Sequence, residues 1–171
     1  MAADRNQGWR EAALTGLVER HRTALVRMCC LCLGDASLAE DAAQETFLKA
    51  YRALDSFRGE CDEKTWLMRI AINTCRDMRR SRWTRHVDRR VTPEMLPEAS
   101  APFEERDEEL TLVLMRLPPK QREAVLLRYY QRMSLAQTAQ AMGVTVSTVS
   151  KQLGRALRSL RGILEGGREH E

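Results

Sequence analysis

Two stretches of this sequence carry side chains suited to nucleic acid. Arg69, Asn73, Arg76 and Arg80 recur at steps of four, three and four, so a helix places them on one face. From Trp66 to Arg90 there are eight arginines and only two acids, Asp77 and Asp88. An ordinary solvated face intersperses both signs. A basic stripe holding an amide, with Trp66 and Trp83 nearby, suits phosphate contacts, base-edge hydrogen bonds and stacking. Further on, Thr148, Lys151, Gln152, Arg155 and Arg158 share a second exposed face. Lys151 and Arg155 can reach guanine edges or phosphates, and Gln152 can reach adenine. An enzyme is not indicated. There is no phosphate-cradling glycine loop, no HExxH and no nucleophile–base pair in a recognisable context.

The first basic stripe must be positioned by a helix running from about Trp66 to Arg82. Its reverse face is apolar, with Leu67, Ile70, Ala71, Thr74 and Met78. Before it comes a loop, Ser56 to Glu63, in which Gly59 permits a tight reversal. The preceding helix buries Ala39, Ala43, Phe47, Ala50 and Leu54 at three- and four-residue steps. Asp41, Glu45, Arg52 and Asp55 lie opposite, with Leu48 in their midst. A leucine ringed by charges is the pattern of an interface with an apolar centre and a polar rim. A first helix is expected from Glu11 to Leu33, with a bend near His21 and a frayed tail over residues 1–10. Gly34 ends it in the left-handed conformation, and Asp35 or Ser37 caps the next.

The second stripe belongs to a helix-turn-helix. Leu110, Leu114 and Leu117 form an apolar stripe that stops at Pro118, and Pro119 opens a helix reaching about Tyr130. Ser134 to Gln137 is a capping box. Ala139, Gly143 and Val149 have the spacing at which a small residue lets two helices cross, a glycine turns the chain and a branched residue wedges between them. The last helix, capped by Thr145 or Ser147, is expected to bury Val146, Val149, Leu153, Ala156, Leu157 and Leu160. Its N-terminal part would enter a major groove.

The chain has 171 residues and a net charge of +4, with a pI near 9.0. Glu98, Glu104, Glu105, Asp107, Glu108 and Glu109 separate two basic segments, a distribution that suggests nucleic-acid binding at two places. Val91 to Phe103 holds three prolines and no helical stripe, the composition of a linker. No secretory signal is visible, so a cytoplasmic protein with five reduced cysteines is expected. Cys29 and Cys32 make a formal CxxC. Without a βαβ context or further metal ligands they read, with Cys30, as small apolar residues of a core; Cys30 is the least buried on this reading. Cys61 sits in a polar loop and is a candidate reactive thiol. No metal and no cofactor is indicated.

The stretch carrying Asp41, Gln44, Glu45, Phe47, Ala50, Tyr51, Phe57, Arg58, Thr65, Trp66, Leu67, Arg69, Ile70, Ala71 and Asn73 resembles, without a gap, one domain of the extracytoplasmic-function (ECF) group of bacterial RNA polymerase sigma factors. That domain binds promoter and core polymerase. Leu117, Pro118, Arg122, Leu127, Ala139, Met142, Val149, Leu153, Arg155, Ala156 and Leu160 resemble the group's −35-binding domain. This chain departs from that domain at Gln137 and Thr138, where glutamate and isoleucine are usual, and at Ser150 and Gln152, where arginines are frequent.

The resemblance implies an all-α protein of two small helical domains joined by a flexible linker, the C-terminal one a helix-turn-helix. Domain 2 is expected over 11–88, the linker over 89–107 and domain 4 over 108–165. It implies that Asp41, Gln44, Glu45, Leu48 and Arg52 dock on the clamp of the largest core polymerase subunit. Phe57, Arg58, Cys61 and Lys64 of the loop would capture an unstacked −10 base, with Arg69, Asn73, Arg76 and Arg80 holding the upstream duplex edge. Thr148, Ser150, Lys151, Gln152, Arg155 and Arg158 would read the −35 element. Promoter DNA and core polymerase are the implied partners, a cognate anti-sigma factor is expected by analogy, and no membrane insertion is expected. A free-standing helix-turn-helix regulator explains the second domain but leaves 41–73 idle.

Overall fold

The computed structural model describes residues 2–83 and 111–168, and every regular element in them is helical. α1 spans Ala2–Leu33, α2 Ala36–Ala53 and α3 Glu63–Trp83. After a helical stretch at 111–115, here α4, come α5 (Pro119–Val125), α6 (Leu135–Met142) and α7 (Val146–Arg168). The linker expected over 89–107, with Leu110, Arg85 and His86, lies outside the described residues, as do the side chains of Arg82 and Trp83.

Local chemistry sets most boundaries. Gly34 is left-handed (φ 68°) and its N–H donates to the Cys30 carbonyl. The Asp35 carboxylate accepts from the Leu38 N–H, so Asp35 rather than Ser37 caps α2. Asp62 does the same for α3 through the Thr65 N–H and hydroxyl. In the helix-turn-helix both halves of the Ser134–Gln137 capping box are formed. Gly143 turns the chain at φ 67°, Ala139 and Val149 are buried between the crossing helices, and Thr145 caps α7.

Three expectations are corrected. α1 starts at Ala2, not Glu11, and runs unbroken past His21. Arg10 holds its first turns down by donating to Asp55 and the Tyr51 carbonyl while lying over the Tyr51 ring. Val146 and Leu157 are exposed, at 43% and 46%, rather than buried. Val146 is the first residue of α7, ahead of the buried Val149, and Leu157 lies about 100° round the helix from the fully buried Ala156, at the edge of the covered face. Cys30 is as buried as Cys29 and Cys32, all at 0–1% exposure.

The largest finding is that the two domains share one core. α3 packs on α1 and α2 on one side and on α6 on the other. Met68, Ile72 and Cys75 are therefore buried along with the expected Leu67 and Ala71. Arg122 of α5 donates to the Leu31 and Cys32 carbonyls at the end of α1, and Gln131 donates to the Ala24 carbonyl.

Candidate polymerase and promoter surfaces

On α2, Asp41, Gln44, Leu48 and Arg52 are exposed and Glu45 is half-buried, so all five predicted residues lie at the surface. Leu48 is 48% exposed. Beside it runs a groove of about 330 Å³, whose apolar walls are Leu14 and Val18 of α1 with Ala43, Phe47 and Leu48 of α2. Arg22 and Glu40 pair at its rim, 3.2 Å apart. Leu14 and Val18 lie with Leu17 on the apolar stripe of the first helix, which by pattern alone reads as core. Their four-residue spacing is compatible with a groove wall, but nothing local distinguishes the two roles.

The loop between α2 and α3 presents Arg58 and Gly59 to solvent, with Gly59 at φ 73°. Phe57 stacks on Trp66, ring centroids 4.6 Å apart. The Asp62 carboxylate is held below its ordinary pKa. Burial works against its charge, but hydrogen bonds from Thr65 and Gln137 outweigh that. Glu63 is lowered likewise: burial opposes the charge, and hydrogen bonds from His21 and Arg20 prevail. Burial raises the Cys61 thiol, with the neighbouring Asp62 charge adding to it.

Along α3, Arg69, Asn73 and Arg80 are exposed, and Arg80 pairs with Asp77. Arg76 does not lie free on the solvent face. It donates to Glu123 of α5 through Nε (3.2 Å) and Nη2 (2.8 Å), and to the Met142 carbonyl at 3.1 Å. Arg79, absent from the predicted set, donates to the other Glu123 oxygen at 2.5 Å. Lys64 is also engaged, donating to the Gln131 carbonyl at 2.6 Å; burial lowers its pKa. On α7, Ser150, Lys151, Arg155 and Arg158 are exposed; Thr148 and Gln152 are half-buried, and the Thr148 hydroxyl hydrogen-bonds with Thr145. Asn73, Arg76, Arg79 and Arg80 of α3 face Lys120 of α5 and Gln152 and Arg155 of α7 across one cleft of about 750 Å³.

Cys29, Cys32 and Cys75 meet in the core, where the thiols hydrogen-bond to one another and burial reinforces the upward shift of Cys32 and Cys75. Burial also pushes Cys30 up to about 11. Among the described residues no group of His, Cys, Asp or Glu side chains could hold a metal ion, and no helix is long and apolar enough to cross a membrane.

A helical module with a basic face and an adjoining loop, joined to a helix-turn-helix, has the build of a DNA-binding protein. Family models agree on both halves: residues 17–85 match sigma-70 region 2 and residues 107–160 match sigma-70 region 4. The chain is 32% identical to the RNA polymerase sigma-H factor of Pseudomonas aeruginosa, over 87% of this chain and 84% of that protein. It is 33% identical to the ECF sigma factor SigM of Mycobacterium tuberculosis, over 89% and 77%. In structure it resembles the sigma factor RpoE of Bartonella quintana, solved in complex with the anti-sigma factor NepR (TM-score 0.76, 23% identity, 88% of this chain and 96% of that one). It also resembles CnrH, solved with the cytosolic domain of CnrY (TM-score 0.67, 25% identity, 91% and 90%). The chain belongs to the sigma-70 family, in its ECF group, and is an RNA polymerase sigma factor. Sigma factors are not enzymes in the catalytic sense. The free-standing regulator is set aside, because the region 2 match takes in the whole of the stretch which that reading left idle.

Proposed function

We propose that this sigma factor works through three surfaces within a domain 2 of about 11–88 and a domain 4 of about 108–165, joined by a linker over 89–107. The α2 face of Asp41, Gln44, Glu45, Leu48 and Arg52 docks on the clamp of the largest polymerase subunit. Phe57, Arg58, Cys61 and Lys64 receive an unstacked −10 base, while Arg69, Asn73, Arg76 and Arg80 hold the duplex beside it. Unstacking costs a few kcal/mol, so the receiving loop has to return that energy in contacts. Thr148, Ser150, Lys151, Gln152, Arg155 and Arg158 read the −35 element in the major groove. The protein acts in the cytoplasm and performs no chemistry itself.

The observation that carries this reading is the α2 face: a half-exposed leucine beside an apolar groove, rimmed by charges, on the same module as the basic helix. A cognate anti-sigma factor is a further expected partner, since a structural relative was solved bound to one. Run-off transcription with purified core polymerase on a candidate promoter tests the whole reading. Promoter-specific transcripts that require this chain are expected, and their absence on every promoter upstream of its own regulon would overturn it.

A further inference from the structure

Glu123 is the most unusual charged residue in the structure. It is 1% exposed, yet both its oxygens are engaged by arginines from the other domain. Arg76 and Arg79 lie three residues apart on α3 and converge on it from one face. The pairing leaves capacity over, because Arg79 Nη1 is buried without a hydrogen-bond partner. Two guanidinium groups converging on one anion, with a donor to spare, match the acceptor-rich shape of a phosphate.

We propose that Arg76 and Arg79 form a phosphate clamp for promoter DNA, and that Glu123 occupies the clamp as an in-chain substitute for the phosphate. Closure of the C-terminal domain on α3 and binding of DNA by α3 then exclude each other. The inference rests on the sigma-factor reading above and adds to it a DNA-contacting residue, Arg79, and a competitor, Glu123.

Two observations support it independently. Residues assigned to different promoter elements, Asn73 and Arg80 on one side and Gln152 and Arg155 on the other, face one cleft. Elements centred near −10 and −35 lie about 25 base pairs apart, roughly 85 Å along a duplex, so the closed chain cannot engage both. Closure also uses the −10 loop. Gln137 of α6 donates its amide to Asp62 at 2.8 Å, and Lys64 donates to the Gln131 carbonyl.

The test uses the full chain without polymerase. Binding of a fluorescent promoter duplex is measured against salt, and the radius of gyration is read by small-angle scattering. Glu123→Gln removes the substitute's charge. Gln137→Glu retains the acceptor of the capping box but sets a carboxylate against Asp62. The two variants change the net charge in opposite directions. Both should expand the particle and tighten DNA binding by about tenfold. Arg79→Gln added to Glu123→Gln should cancel the gain and reduce the salt slope by about one.

If Glu123→Gln expands the chain without tightening binding, or Gln137→Glu weakens binding, competition for the clamp is wrong. An unchanged salt slope in the double variant removes Arg79 from the clamp. Should circular dichroism show Glu123→Gln unfolded, Gln137→Glu alone decides. Run-off transcription by the wild-type chain with core polymerase is scored separately. Failure there sinks the sigma reading, whereas failure of the free-chain variants sinks only the clamp.

Discussion

Leu48→Asp separates interface from core more sharply than any other change on α2. Full burial of a leucine is worth about 1.5–3 kcal/mol. Leu48 is 48% exposed in the free chain, so docking has about half of that left to gain, roughly 1 kcal/mol. An aspartate there also forces a carboxylate against the partner's apolar surface, adding about 1–3 kcal/mol. Together these give about 2–4 kcal/mol, or roughly a 30- to 1,000-fold rise in Kd. The free chain should barely respond, because the new charge faces water and surface changes stay within about 0.5 kcal/mol. The assay is competition between labelled wild type and the variant for core polymerase, with helicity and melting temperature measured in parallel. A folded variant that competes as well as wild type would refute the interface. A variant that unfolds would return Leu48 to the core.

The remaining predictions are brief. Lys151→Ala and Arg155→Ala should weaken binding to closed duplex, whereas Asn73→Ala should mainly impair opening; a promoter pre-melted at the −10 element should rescue only the latter, and equal rescue would dissolve that division of labour. Thr138 is fully buried with a hydroxyl that finds no partner, so Thr138→Val should stabilise the chain by about 1 kcal/mol, a rise of roughly 2–4 °C in calorimetry. Alkylation of the native chain should modify Cys61 before any other cysteine, since Cys29, Cys30, Cys32 and Cys75 are buried; peptide mapping by mass spectrometry reads the order. Glu63 has its pKa lowered in the fold. Its contribution is fully present above its ordinary value of 4.5 and is lost as pH falls through the lowered one. Glu63→Gln should flatten the acid limb of the melting curve.

Features with local causes were legible in the sequence. Gly34, Asp35, Ser134, Gly143 and Thr145 each act within a few residues of themselves, and each does what its type and position suggested. The amphipathic face of α2, and that of α7 at Val149, Leu153 and Ala156, were legible for the same reason. What was hidden depends on contacts between distant segments. Nothing near Glu123 foretells that a carboxylate will be buried, because its partners lie 44 and 47 residues away. Met68, Ile72 and Cys75 fall outside the apolar stripe of α3 and become core because α3 is covered from two sides. Gln137 was noted as a departure from the family, and its consequence shows only in the fold. It completes the capping box and still has an amide to give to Asp62, which a glutamate would lack.

After Val125 the helix begun by α5 widens into a π turn, Leu126–Tyr130, with the Gln131 N–H reaching back five residues to the Leu126 carbonyl. A π turn accommodates one more residue than the α-helix it interrupts. Here the surplus residue determines the azimuth at which Gln131 leaves the helix, and Gln131 is the residue that meets Ala24 and Lys64. Docking of the second domain is thus encoded partly in chain length. A relative one residue shorter between 126 and 130 could keep every docking side chain and still aim Gln131 about 100° away, the angle one residue sweeps in an α-helix. Alignments scored on residue identity alone would miss the change, while a single gap at this point would report it.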